Sequence, residues 1–153
     1  MTTPSVRSDH IAPAPEFRLA VTPDHPRPGD RITVQVDWDH VARSTAIDVR
    51  LCWLLATPAQ QRVIVNARES EPYPFTRGSR AFTFTLPQTP CTIHGRLMRI
   101  LWLVEVVLLP TRHCVRLGFV VSPDGEAVVL QGGDAECHEF AFDRVAKDVP
   151  EDW

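Results

Sequence analysis

Lysine is nearly missing from this chain of 153 residues: Lys147 stands alone beside fifteen arginines. The arginines are scattered and form no basic run, and the net charge is −3, so nothing draws the chain toward nucleic acid. A GC-rich genome choosing arginine codons accounts for the bias. Long apolar runs are also lacking. The most apolar one, Ile100 to Leu109, carries Glu105 and falls short of the roughly 20 helical residues that span a bilayer, which predicts no transmembrane segment. The first residues, MTTPSVRSDHIAPAPEF, hold no uninterrupted apolar stretch of about 7–15 residues of the secretory kind. Cys52, Cys91, Cys114 and Cys137 are spread evenly, without the density of a small disulfide scaffold. They read as reduced, mostly buried thiols of a cytoplasmic protein.

Catalytic signatures are missing as well. There is no Gly-x-Ser-x-Gly elbow, no glycine-rich phosphate loop and no stripe of basic and aromatic residues suited to bases. No stretch has convincing helical periodicity, no internal repeat is visible, and no linker divides the chain.

What is present is alternation. Glu16 to Val21 sets Phe17, Leu19 and Val21 against Arg18 and Ala20, and Arg31 to Trp38 sets Ile32, Val34, Val36 and Trp38 against Thr33, Gln35 and Asp37. Ala46 to Leu55 places Ile47, Val49, Leu51, Trp53 and Leu55 on one face, and Gln61 to Arg68 reads as another strand. The stretch ESEPYPFTRG reads as a long loop. Ala81 to Leu86 follows, with Phe82, Phe84 and Leu86 inward; then come Pro87, Pro90 and Gly95, and a long strand around Trp102 that is apolar on both faces and therefore central. His113 to Val121 is expected to pair with Ala127 to Gln131 across a turn at Asp124-Gly125. Cys137 to Phe142 alternates again. Eight or nine short strands with Pro- and Gly-rich turns predict an all-β fold, an antiparallel two-sheet sandwich. Residues 1–15 form an N-terminal arm, 16–133 the sandwich and 134–153 an acidic C-terminal segment that includes a last strand. That segment holds seven acids against Arg144 and Lys147, for a charge of −5.

The run FTFTLPQTPCTIHGRLMRILWLVEVVL resembles the arrestin-like superfamily, in which an alternating strand ends in Leu-Pro, a proline step follows, and a glycine opens a long apolar strand. The matching positions are Phe82, Phe84, Leu86, Pro87, Pro90, Gly95, Ile100 and Trp102, and PRPGDRITVQVDW (residues 26–38) is similar to the family's Pro-Gly-Asp turn and second strand. Cys91-Thr92 stand where the family usually places a small hydroxyl. The resemblance implies a single arrestin-like, immunoglobulin-like sandwich, where arrestins have two, and adaptor work of the kind done by arrestin-domain proteins and bacterial sporulation-control proteins. Independently of it, Pro87 and Pro90 remove donors and force extended backbone, which suits a chain crossing between sheets, and Gly95 permits a bend.

Candidate chemistry is sparse. Cys91 and His94 could make a thiol–imidazole pair, and Cys91, His94 and Cys114 are weak zinc candidates; adjacent residues of a strand point to opposite faces, so His113-Cys114 can give only one ligand. Asp37 and Asp39, at i and i+2, are weak calcium candidates. The reading adopted is no metal, no cofactor and no catalysis. The tail is the richest candidate: Glu139, Phe140, Phe142 and Trp153 are expected to bind a partner by adding to an exposed sheet edge, on this molecule or another. The function expected is a non-catalytic protein-interaction module binding a protein partner or itself. A structural subunit of a larger bacterial assembly and, less favoured, a zinc-dependent protein are the alternatives.

Overall fold

The computed structural model of the protein describes residues 13–42 and 46–129. Nine strands run through them: β1 (Glu16–Thr22), β2 (Arg31–Asp39), β3 (Ala46–Ala56), β4 (Gln61–Pro72), β5 (Gly78–Thr85), β6 (Ile93–His94), β7 (Arg99–Leu109), β8 (His113–Phe119) and β9 (Val128–Val129). They make two sheets. The small one has the order β1-β2-β5; the large one runs β4-β3-β7-β6-β9, with β8 also paired to β7. All pairings are antiparallel except the short β6–β9 contact, which is parallel.

The period-two pattern sets the core. Ile32, Val34 and Val36 of β2 and Phe82 and Phe84 of β5 meet Ile47, Val49 and Leu51 of β3 and Trp102, Val104, Val106 and Leu108 of β7 in one buried cluster. β7 is central as its two apolar faces require: β3 pairs along its whole length on one side, while β6 and β8 share the other. At one flank Phe17 of β1 stacks on His113 of β8, ring centroids 6.0 Å apart, which joins the two sheets.

The proline segment does cross between the sheets. Gly29 and Leu86 amides bond to the Pro87 and Asp30 carbonyls at 3.2 and 2.8 Å, pinning the end of β5 to the Pro-Gly-Asp turn. The chain then enters the large sheet at β6. Trp102, fully buried, donates its indole Nε1–H to the Pro90 carbonyl at 2.8 Å. The positive-φ glycines among the described residues are Gly29 and Gly125, not Gly95, and the bend follows Gly95 at Arg96–Leu97.

Three expectations need correction. β4 continues to Pro72, so the first four residues of ESEPYPFTRG are strand, because Glu69 to Pro72 find partners in Ala46 to Val49. His113–Val121 and Ala127–Gln131 do not form a hairpin: β8 pairs with β7 and β9 with β6. Thr92 explains this. Its Oγ1 accepts from the Val121 amide at 2.9 Å, its amide donates to the Val121 carbonyl and its carbonyl accepts from the Val128 amide, so it stands between the two segments. The described cysteines are free thiols but mostly not buried: Cys52 is, Cys91 is half-buried and Cys114 is exposed. Cys137 and the strand expected over Cys137 to Phe142 lie outside the described residues, as does most of the N-terminal arm.

Candidate interaction surfaces

The sequence-derived metal candidates do not assemble. Cys91 sits in the crossing segment, His94 on β6 and Cys114 on β8. Among the described residues no three His, Cys, Asp or Glu side chains converge on a point that could hold a metal ion. Burial pushes the Cys52 thiol up to about 12; at Cys114, exposed as a residue, partial desolvation of the sulfur by its neighbours pushes the thiol up to about 11, and the Glu105 carboxylate adds to both, so neither is a thiolate nucleophile at neutral pH. Asp37 and Asp39 share the solvent face of the small sheet, but each is engaged by protein. Asp37 accepts from Ser79 Oγ and Gln35 Nε2, which with Arg18 nearby hold its carboxyl below the usual range. Asp39 accepts from the His40 amide and pairs with Arg77 at 3.5 Å. They border an open depression of about 380 Å³, lined also by Glu16 and Arg18.

Two surfaces stand out instead. The first is the edge of β4, twelve residues long and, among the described residues, paired on one side only. Asn66 is an extra residue there, since Leu51 and Cys52 face Ala67 and Val65; such a bulge increases the local twist. Val65 is exposed at the middle of this edge. Beyond the strand, Tyr73 and Phe75 are among the most exposed apolar side chains, at 80% and 85%. They are held out by a fixed loop. Trp38 Nε1–H donates to the Phe75 carbonyl at 2.9 Å, the Val41 amide bonds to the Thr76 carbonyl at 3.1 Å, and Tyr73 itself has φ +45°, a strained conformation for an aromatic residue. Neither surface was singled out from the sequence, although three aromatic or proline residues in a row after a charged strand were a visible signal.

The second is the outward face of the large sheet. Arg50 of β3 pairs with Glu105 of β7 at 3.3 Å and with Asp48 at 3.4 Å; Arg116 of β8 reaches Glu105 at 2.7 Å and Arg68 of β4 reaches Asp48. Beside this row lies a second apolar cluster of Cys52, Leu54 and Leu103, edged by Val63 and Leu101. The partner-binding residues expected from sequence, Glu139, Phe140, Phe142 and Trp153, lie outside the described residues.

Compared with known proteins, the architecture is that of an arrestin-like β-sandwich. A solved structure that shares this fold is Spo0M, the sporulation control protein of Bacillus subtilis, which superposes with a TM-score of 0.51 at 16% identity, over 72% of this chain and 50% of that one. The chain thus spans half the length of Spo0M. Lesser similarities reach the alkylpurine DNA glycosylase AlkC of Pseudomonas fluorescens (TM-score 0.40, 11% identity, 71% of this chain and 30% of that) and a β-glucosidase of Listeria innocua (0.39, 19%, 76% and 17%). No family pattern and no curated protein matches the sequence. No helix among the described residues is long and apolar enough to cross a membrane.

Proposed function

We propose that the chain is a non-catalytic protein-interaction module, an adaptor or scaffold built on a single arrestin-like sandwich. The observation that carries this reading is the edge of β4, unpaired among the described residues, next to the rigidly presented Tyr73 and Phe75. An unpaired edge offers a row of backbone donors and acceptors to an added strand, and flanking aromatics supply buried area at low entropy cost. That Spo0M, a sporulation control protein, shares the fold supports a regulatory setting.

The test uses full-length protein in three forms: wild type, Val65→Lys, which places a charge at mid-edge, and the pair Tyr73→Ser/Phe75→Ser. Each is measured for self-association by light scattering and for retention of a purified partner first recovered with the wild type. Loss of association in either variant, with an unchanged melting temperature, supports the reading. Wild type that neither self-associates nor holds a stoichiometric partner, or variants that bind equally well, would overturn it.

A further inference from the structure

Half of the β4 edge is already closed. Arg80 of β5 reaches across from the small sheet, with its Cζ 4.6 Å from the Phe82 ring centroid; it donates Nη1–H to the Ser70 carbonyl at 3.2 Å and pairs with Glu71. An edge-strand carbonyl that bonds to a side chain from outside is turned away from its neighbour β3, so the backbone groups of Ser70 face outward. Alternation gives Arg68 and Pro72 the same sense, and Pro72 has no N–H to offer there. Ser70 and Arg68 stand opposite Asp48 and Arg50, and β3 carries that phase on through Cys52, Leu54 and Ala56. Beyond the Asn66 bulge the outward-turned residues are therefore the partners of these three, Val65, Val63 and Gln61. Each has both an N–H and a C=O to offer. Gln61 and Val65 are exposed and Val63 is half-buried.

We infer, resting on the reading of β4 as a partner-binding edge, that the added strand pairs with residues 61–65 alone, and that it is an extended segment of another protein, apolar opposite Val63 and Val65 and acidic opposite Arg62. The side chains choose this chemistry. Val63 and Val65 stand opposite Leu54 and Cys52, so a new neighbour on that face of the sheet meets apolar surface. Arg62, opposite Leu55 on the other face, is exposed and makes no ion pair among the described residues. An acid beside it completes a cross-strand pair of opposite charge. The other half of the edge refuses the same segment: Glu69 and Glu71 repel an acid on that face, and Arg80 occupies the approach. A partner that also touches Tyr73 and Phe75 leaves the edge at Asn66 to reach them.

Amide exchange of the full-length chain, read residue by residue by NMR, tests this without and with the acetylated, amidated peptide Thr-Val-Thr-Val-Glu-Thr at about 5 mM, enough to load a site of millimolar affinity. Without peptide, the Val63 and Val65 amides should exchange freely at every protein concentration, while the Ile64 amide is protected by β3. The peptide should slow Val63 and Val65 about fivefold and leave Ser70 unchanged. Arg62→Glu should weaken the peptide about threefold or more, and a peptide with Lys in place of Glu should restore binding. Protection of Arg68 and Ser70 in place of Val63 and Val65, or of residues 73–75 alone, would overturn the inference and leave the interaction-module reading standing. Protection of Val63 and Val65 without peptide, growing with protein concentration, would give the edge to a second copy and overturn it as well. So would no protection at any amide, or indifference to Arg62→Glu; light scattering and partner retention with Val65→Lys then decide the wider reading separately.

Discussion

Arg50 and Glu105 face each other across the β3–β7 pairing at 3.3 Å, nearly out of water, on the side of the sheet opposite the core. Glu105 is the hinge of the row, because its second oxygen takes Arg116 at 2.7 Å. Glu105→Ala leaves two buried guanidinium groups short of a carboxylate and should cost about 3–5 kcal/mol, or roughly 10 °C in melting temperature. The triple replacement Arg50→Met/Glu105→Leu/Arg116→Leu removes the charges together while Asp48 keeps Arg68, and should recover most of that loss. Urea denaturation of both variants distinguishes a paired network from simple side-chain packing, which would make the triple variant the worse one.

Gly78 lies opposite Trp38 in the β2–β5 register, and the indole rests on it: a Cβ there would sit 2.7 Å from Trp38 Cε2. The same indole holds the Phe75 carbonyl. Gly78→Ala should therefore displace the ring, cost about 1–3 kcal/mol and loosen the loop that presents Tyr73 and Phe75. Thermal unfolding reads the first effect, and faster amide exchange at Phe75 to Arg77 reads the second.

The hydrogen bonds from Ser79 and Gln35 to Asp37, with Arg18 near, keep its folded-state carboxyl below the ordinary value. A lowered folded value means stability that is present above the unfolded value of about 3.9 and is lost as pH falls through the folded one. Asp37→Asn should thus melt lower than wild type at pH 7, and the gap should close toward pH 2. A gap of equal size at both pH values would show that the charge is not the source.

The long strands were legible because alternation over seven or more residues fixes both type and face; the inward sets of β2 and β5 appear in the core as read, and that of β3 does so up to Trp53, while Leu55 is only half-buried. β6 was not legible, since two residues carry no period, and its existence depends on Arg99 and Ile100 offering an edge. The mistaken hairpin failed for a related reason. Asp124-Gly125 does turn, with Gly125 at φ +84°, but a turn signal does not say what its flanks pair with, and Thr92, some thirty residues earlier, decides that. Glu105 looked like an interruption in an apolar strand. Its partner Arg116 comes from the next strand, but Arg50 and the Asp48–Arg68 pair come from strands far earlier in the chain, so the ionic row could not be seen before the topology was known.

Trp102 tests the crossing motif directly. Its ring fills the middle of the core and tilts against Phe119 at 6.3 Å, while its Nε1–H satisfies the Pro90 carbonyl in the segment that carries the chain from the small sheet to the large one. Proline has no N–H, so the Pro90 backbone can be tied down only through that carbonyl. Trp102→Ala removes both roles and should cost about 3–5 kcal/mol through the cavity it leaves. Trp102→Phe keeps an aromatic ring in place and leaves the half-buried Pro90 acceptor without its donor, which should cost about 1 kcal/mol beyond the lost volume. The Phe variant should also show faster amide exchange at Cys91 and Thr92, next to the released carbonyl, while the β2–β5 pairing keeps its protection. If its exchange and stability match wild type, the indole contributes volume alone, and the crossing is held by Thr92 and the bonds at Asp30 and Pro87.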